Sequence, residues 1–171
     1  MNPLSAMRKI SRADIEICER LISVEMPHAE FIGRFGERHS DHPADWDAPG
    51  PVELWFFELP WGHKITLERH MTVDWFNIYL ESLEIEAVLD FLELRAFETH
   101  VDTHMVELLR AKSPAFTKPL QAFRLFRLDD NGNRILMREY ESRRIADYYQ
   151  RVYEARGHKQ LYWVEPAGPE H

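Results

Sequence analysis

A chain of 171 residues, of which 44% are hydrophobic and 12% aromatic, has enough apolar material for one buried core or for two small domains that share an interface. Its formal net charge of −8 argues against a general nucleic-acid binder, which needs Lys and Arg to neutralise phosphates, and favours either simple solubility or a basic partner. The single cysteine, Cys18, excludes an internal disulfide, and no apolar run reaches the roughly 20 residues that span a bilayer, so we expect a cytoplasmic protein outside the membrane.

The first predicted element is a helix over residues 12–24. Ser11 followed by Asp14 is typical of a helix start, because a hydroxyl caps free backbone amides and a carboxylate favours the positive end of the helix dipole. Pro27 ends this helix. Residues 33–50 are polar and contain Gly and Pro, so they predict a long surface loop.

Three strand-like runs follow, over residues 52–59, 63–70 and 73–80. The middle run alternates between apolar and polar side chains, which is the pattern of a strand with one drier and one wetter face. A Pro-Trp-Gly turn separates the first two runs, and the second connection is short. The three runs therefore predict an antiparallel meander.

Two helices are predicted after the meander, over residues 83–92 and 99–112. In the first helix the apolar side chains recur at the spacing that would pack against a sheet. The proline-containing segment 113–119 marks the best boundary, since proline ends helices. We therefore divide the chain into residues 1–117 and 118–171, and expect the two parts to pack together as one compact protein.

The second part begins with a predicted hairpin of strands 123–128 and 134–140. Asn131 and Gly132 lie between the two runs, and Asn-Gly between apolar-rich runs is a strong hairpin signal. A two-residue type I′ turn needs a positive φ at both central residues, which Asn and Gly tolerate. The sequence therefore predicts such a turn here.

A helix and a last strand complete the second part. Ser142 is placed to cap the helix and Gly157 to end it in the left-handed conformation. The last strand, residues 160–164, is expected beside the first strand of the hairpin, in the antiparallel order 2-1-3. The predicted fold class is therefore α+β: a three-stranded meander with helices, followed by a ββαβ unit.

His39, Asp41 and His42 are the candidate metal ligands on the predicted loop. Imidazole and carboxylate groups bind divalent ions when folding brings three or four of them together. The spacing resembles part of the His-x-His-x-Asp-His signature of metallo-β-lactamase-fold hydrolases, but Glu37 stands where its first His belongs. A solvated polar loop is therefore the main interpretation, and no cofactor is expected.

Aromatic side chains of the meander supply the candidate binding residues. If the strands bury Leu54, Phe56, Ile65, Leu67, Phe76, Ile78 and Leu80, the opposite face carries Trp55, Phe57, Trp75 and Tyr79 among polar groups. Aromatic anchors in a polar setting suit a protein interface. The alternative is that a helix covers this face. Trp46 and Trp61 join the candidates, with the alternative that they pin loops.

Two functions from different classes remain open. The chain contains neither a phosphate-binding Gly-rich loop nor a Gly-x-Ser-x-Gly elbow, which favours a protein without catalytic activity. The first hypothesis is a protein-binding module, an inhibitor or immunity-type partner of a basic effector such as a nuclease toxin. The second is a small metal-dependent hydrolase that uses the loop with His39, Asp41 and His42.

Overall fold

The computed structural model describes residues 3–15, 19–42, 51–80, 83–112, 122–140, 142–157 and 160–168. The chain divides into two compact units, Met1–Lys112 and Ser113–His171, called the N-terminal and the C-terminal unit below. Both combine helices with antiparallel sheets, which confirms the α+β class. The predicted boundary segment 113–119 lies outside the described residues. Within the described ranges, no helix is long and apolar enough to cross a membrane.

One antiparallel sheet forms the frame of the N-terminal unit. Its described strands are β1 (Arg8–Lys9), β2 (Glu19–Glu25), β3 (Ser40–His42), β4 (Val52–Glu58), β5 (Lys64–His70), β6 (Trp75–Leu80) and β7 (Thr99–Val101). They lie in the order β1-β4-β5-β6-β2-β7. Along the outer edge of β4, β3 pairs with residues 52–54 and β1 pairs with residues 57–58. The described helices of this unit are α1 (His28–Phe35), α2 (Ile85–Phe91) and α3 (Thr103–Lys112).

The predicted meander is confirmed as β4, β5 and β6. Every adjacent pair is antiparallel, and the cross-strand register is continuous along both hairpins. In β5 the side chains of Ile65 and Leu67 are fully buried, whereas the alternating residues Thr66 and Glu68 are half-buried, as the pattern predicts. The helix predicted over residues 83–92 is confirmed as α2, whose buried side chains include Val88.

The helix predicted over residues 12–24 is wrong. Ser11 and Asp14 do form a capping box, but it starts a single 3₁₀ turn, and the chain becomes extended at Ile15. Strand β2 follows and lies between β6 and β7 in the sheet. Because β2 has a bulge between Arg20 and Ile22, its apolar residues Leu21, Ile22 and Val24 do not alternate strictly, and the run resembles the apolar stripe of a helix.

The long loop predicted over residues 33–50 is also corrected where the structure describes it. Helix α1 extends to Phe35, and β3 pairs with the edge of β4. Phe31 and Phe35 of α1 are buried, and the Phe31 ring lies 4.7 Å from the Trp55 ring. Aromatic packing between segments distant in sequence stabilises α1 in spite of its short length. Residues 43–50 lie outside the described residues.

The second predicted helix, over residues 99–112, begins later than expected. Its first residues form β7, which pairs with β2, and α3 starts at Thr103. Asp102 lies at the boundary between β7 and α3, and its carboxylate accepts the backbone N–H of Met105 at 3.1 Å. This bond, together with the nearby Arg20 guanidinium, lowers the pKa of Asp102. An N-terminal cap therefore separates strand from helix.

The C-terminal unit has the predicted ββαβ arrangement. Its strands are β8 (Phe123–Leu128), β9 (Arg134–Tyr140) and β10 (Tyr162–Pro166), and helix α4 (Arg143–Glu154) lies between β9 and β10 in sequence. The strand order β10-β8-β9 confirms the predicted 2-1-3 pattern. Helix α4 covers one face of this sheet, where Tyr149 stacks on Tyr140 at 5.2 Å and Tyr153 on Tyr162 at 5.6 Å.

The hairpin turn and the helix cap of this unit differ from the prediction in detail. Gly132 has a positive φ of 79°, but Asn131 has not, so the turn is not type I′. The N–H of Gly132 donates to the carbonyl of Asp129, and the N–H of Asp129 to the carbonyl of Asn133. This is a three-residue loop closed by a glycine bulge. Ser142 precedes α4, but its side chain makes no capping bond.

Candidate functional site

Trp55 and Phe57 lie on the buried face of the large sheet, so the predicted assignment of β4 side chains to the two faces is wrong. Trp55 is the cross-strand partner of Leu67, and Phe57 of Ile65, which places the rings among the aliphatic side chains. Trp55 is 0% exposed and meets the ring of Phe31 from α1 edge-on. Neither aromatic residue is therefore available at a surface.

Leu54 and Phe56 lie instead on the opposite face, called the second face below. Phe56 is covered by Ile10 and Ile15 from the segment that precedes β2, and Leu54 packs against this small cluster. Tyr79 shares the second face, since it pairs across strands with Thr66, the neighbour of Phe56. The N-terminal segment thus covers the part of the second face that β4 forms.

The other predicted tryptophans have different positions. Trp61 is buried in the turn between β4 and β5, and its ring meets the Phe91 ring of α2 edge-on at 5.1 Å. This packing fits the alternative that Trp61 pins a loop. Trp46 lies outside the described residues. Trp75 is 41% exposed and, with Tyr79, belongs to β6.

The predicted metal ligands His39, Asp41 and His42 lie at the outer edge of β4. The Nδ1 atom of His39 accepts the backbone N–H of Phe56 at 3.0 Å. Burial and the nearby positive charge of Lys9 lower the pKa of His39 to about 4, so at neutral pH the ring carries its one proton on Nε2. One nitrogen is thus bonded and the other protonated, which leaves no lone pair for a metal.

Asp41 and His42 contribute their backbone to β3, but their side chains lie outside the described residues. Within the described part of the chain, no three His, Cys, Asp or Glu side chains are grouped to hold a metal ion. Nothing observed in the described residues therefore favours the hydrolase hypothesis over the binding hypothesis.

Polar side chains on the second face converge on one carboxylate, that of Glu68 on β5. The Tyr79 hydroxyl donates to Glu68 Oε1 at 2.8 Å, and the Asn77 Nδ2 donates to the same oxygen at 3.1 Å. Ser23 on β2 donates in turn to Asn77 Oδ1 at 2.9 Å. The register that pairs Glu68 with Asn77 and Asn77 with Ser23 aligns these groups across three strands.

The second oxygen of Glu68 is open. Oε2 accepts no hydrogen bond from the described residues, and it is not among the buried polar atoms that lack a partner. The Glu68 side chain keeps 21% of its surface exposed. Burial and the Glu68 charge raise the pKa of Tyr79, so its hydroxyl stays protonated as a donor. The carboxylate is therefore held in place by one oxygen and offers the other.

His70 lies beside this carboxylate on the same strand. Its Nε2 is 3.7 Å from Glu68 Oε1, too long for a hydrogen bond. Its Nδ1 is buried and has no hydrogen-bond partner among the described residues. His70 therefore donates no hydrogen bond to Glu68 in this arrangement.

Exposed apolar side chains adjoin this polar group at the connection between β5 and β6. Met71, Val73 and Trp75 are 51%, 38% and 41% exposed, and they are three of the five large hydrophobic side chains that are exposed among the described residues. These three residues are called the hairpin tip below. Trp75 lies on the second face, because it is two residues from Asn77 along β6.

A buried arginine holds the hairpin tip in place. Arg69 is 2% exposed, and its guanidinium donates to the carbonyl of Met26 at 3.3 Å and to the Asp74 carboxylate at 3.2 Å. The backbone N–H of Met26 donates to the carbonyl of Asp74 at 2.9 Å. These bonds tie the connection between β5 and β6 to the end of β2. The tip therefore presents its apolar side chains from an ordered base.

Charge is distributed unequally between the two units. Residues 1–112 carry 21 Asp and Glu against 11 Lys and Arg, a formal charge of −10, whereas residues 113–171 carry 8 against 10, a formal charge of +2. The acidity of the chain therefore belongs to the unit with the hairpin tip and Glu68. A field of this sign attracts cationic groups and raises their rate of association.

Sequence reasoning identified Trp75 and Tyr79 but missed the residues that organise the site. Glu68 was recognised only as one polar residue of an alternating strand, since its role depends on donors from β6. Met71 and Val73 are predicted in a turn and a strand start, although two large apolar residues in a short connection, followed directly by Trp75, are unusual. That local excess of apolar side chains is the signal that could have revealed the tip.

The chain was compared with protein-family models, with curated proteins and with solved structures, and nothing matches. No relative therefore assigns a role to any of these residues. The function is argued from the second face and the hairpin tip alone.

Proposed function

We propose that this chain is a non-catalytic protein-binding module, with the character of an inhibitor or immunity-type partner of a basic effector such as a nuclease toxin. Its binding surface is the hairpin tip together with Glu68. One observation carries the proposal: three large apolar side chains, Met71, Val73 and Trp75, are exposed at alternate positions of one ordered connection and the strand start that follows it.

Such a turn has the composition of a binding hot spot. Trp and Met are enriched at protein interfaces, where a preorganised anchor loses little conformational entropy on binding. Three large apolar side chains exposed within residues 71–75 concentrate apolar surface at one place, and such a concentration favours a partner. Arg69 supplies the preorganisation through its bonds to Met26 and Asp74.

The acidic charge of the N-terminal unit supports a basic partner. A formal charge of −10 on residues 1–112 would steer a cationic protein toward this unit and repel nucleic acid. We place the protein in the cytoplasm, because a single cysteine fits a reducing compartment. No cofactor is needed for binding of this kind.

Affinity capture from a native lysate at low salt tests the proposal. The wild-type chain is compared with Trp75→Ser, which removes the aromatic anchor, and with Leu161→Ser, which removes a 62% exposed apolar side chain from the C-terminal unit. We expect the wild type and Leu161→Ser to capture the same basic protein, and Trp75→Ser to lose it. Raising the salt to about 0.5 M should release it, because salt screens the charge attraction.

Two results would contradict the proposal. One is capture of no specific protein by the wild type at low salt. The other is equal capture by the wild type and Trp75→Ser, with both variants folded by circular dichroism. A captured protein that is acidic would overturn the charge argument while leaving the hairpin tip as a binding surface.

A further inference from the structure

We propose that Glu68 Oε2 is the receptor for a single primary ammonium group, the side chain of a lysine in the partner. This inference rests on the proposed function, since it names the chemistry that the same surface recognises.

Most poorly exposed carboxylates of the N-terminal unit that the structure describes have an arginine partner, and Glu68 has none there. Glu53, Glu58, Asp90 and Asp102 pair with Arg38, Arg8, Arg95 and Arg20, respectively, and Glu84 pairs with His63. Glu68 is no more exposed than Glu58 or Asp102, but within the described residues its nearest titratable cation is His70 at 3.7 Å. A half-buried carboxylate that forms no ion pair with Lys or Arg among the described residues is a site where an added positive charge is stabilised.

The hydrogen bonds of Glu68 select among cations. Tyr79 and Asn77 already donate to Oε1, which uses the two lone pairs of that oxygen. A guanidinium binds a carboxylate best through two parallel bonds, one to each oxygen, and that geometry is blocked here. An ammonium group acts as a compact point charge and needs only one oxygen, so the site favours lysine over arginine.

Two aromatic residues complete the receptor. The Tyr79 hydroxyl donates its proton to Glu68, so its oxygen keeps lone pairs that can accept a second N–H of the ammonium. Trp75 lies two residues from Asn77 on the same face and is 41% exposed, so its ring is available to a cation that approaches from solvent. Trp75 and Glu68 thus lie on the same face of the sheet.

Nuclear magnetic resonance titration of the full chain with three blocked amino acids tests the receptor directly. The compounds are the N-acetyl, N′-methylamide forms of lysine, arginine and norleucine, which differ only in the side chain. We expect the lysine compound to shift the side-chain amide resonance of Asn77, the arginine compound to bind at least about threefold more weakly, and norleucine to cause no shift.

Three variants separate the receptor from general charge effects. Glu68→Gln keeps an oxygen for Tyr79 and Asn77 but removes the charge, and it should abolish the lysine response. Glu58→Gln removes one negative charge from the neighbouring strand β4, and the response should persist. Tyr79→Phe removes a donor and frees part of Oε1, so the preference should move toward arginine.

The inference is overturned if lysine and norleucine give the same shifts, if arginine binds the wild type more tightly than lysine, or if Glu68→Gln still responds. Its failure is distinguishable from failure of the proposed function. If Trp75→Ser loses the captured protein but the lysine compound does not bind, only the receptor is wrong. If lysine binds at Glu68 and no protein is captured, only the protein-binding function is wrong.

Discussion

The backbone N–H of Phe56 donates to the Nδ1 of His39 at 3.0 Å. Phe56 lies on the edge of β4, where β1 pairs with one end of the strand and β3 with the other. The imidazole lies between these two paired segments and accepts the Phe56 N–H, which neither β1 nor β3 reaches. His39 is therefore a structural histidine of the sheet edge, although the sequence identified it as a candidate metal ligand.

Replacing His39 by Ala should lower the free energy of unfolding by about 1–3 kcal/mol, because the Phe56 N–H would lose its acceptor. Replacing it by Asn should cost much less, since the Asn side-chain oxygen can take the place of Nδ1. Urea denaturation followed by tryptophan fluorescence measures both. Equal losses for the two variants would show that the acceptor is not what His39 contributes.

The same residue predicts a pH dependence. His39 takes up a proton at a pKa of about 4 in the folded chain and at 6.5 in the unfolded chain. Between these values the unfolded chain binds more protons, so the contribution of His39 is complete above pH 6.5 and is lost as the pH falls toward 4. His39→Asn should flatten the stability curve in this window, and an unchanged curve would contradict the assignment.

Arg69 should be the most sensitive charged residue of the N-terminal unit. It is 2% exposed and bonded to Met26 and Asp74, so Arg69→Met should lower the free energy of unfolding by about 2–4 kcal/mol. The matched control is Arg8→Met, which breaks a surface ion pair with Glu58 and should cost about 0–1 kcal/mol. Similar losses in thermal or urea unfolding would contradict the role of Arg69 as an anchor.

Replacing each of two exposed glycines by alanine should change the free energy of unfolding in opposite directions. A Cβ on Gly33 or on Gly132 would meet no atom within 4 Å, so packing does not distinguish them. Gly33 is an exposed residue inside α1, where Ala is the better helix former, and Gly33→Ala should stabilise by about 0.5–1 kcal/mol. Gly132 has a φ of +79°, and Gly132→Ala should destabilise by about 1–2 kcal/mol. A stabilising Gly132→Ala would contradict the bulged turn.

Asp129 should organise the hairpin turn through the hydrogen bonds that its carboxylate accepts. Its carboxylate accepts from the Asn133 side chain and from the backbone N–H groups of Asn133 and Asn131, and these bonds lower its pKa. The contribution is present above the ordinary Asp pKa and is lost as the pH falls through the lowered one. Hydrogen exchange of the Asn133 amide should be faster in Asp129→Ala than in Asp129→Asn, which keeps an acceptor.

The C-terminal unit was predictable because its signals are local. A Gly at the turn, an apolar stripe of helical period and short connections all lie within a few residues of the structure that they specify. The turn type was not predictable from Asn-Gly alone, since the bulged loop uses a positive φ only at Gly132. The Asn-Gly dipeptide is compatible with both the type I′ turn and the three-residue bulged loop.

In the N-terminal unit, the meander and α2 were predictable, but β2 and α1 were not. Strand β2 pairs with β6 and β7, more than 50 residues further along the chain. Its apolar residues Leu21, Ile22 and Val24 are fully buried, but the bulge between Arg20 and Ile22 breaks their alternation, so no local pattern separates this run from a buried helix. Only pairing with distant strands decides the matter.

The amino-acid sequence by itself determined the α+β class, the meander, the C-terminal unit and the acidic charge, because these depend on composition and on short-range periodicity. Tertiary structure decided which side chains of β4 face the core. Both alternating sets of β4 residues contain aromatic and aliphatic side chains, and the packing of Phe31 on Trp55 fixes the set that is buried. It also decided the site. Glu68 becomes a centre only when β6 brings Tyr79 and Asn77 to one of its oxygens and leaves the other open.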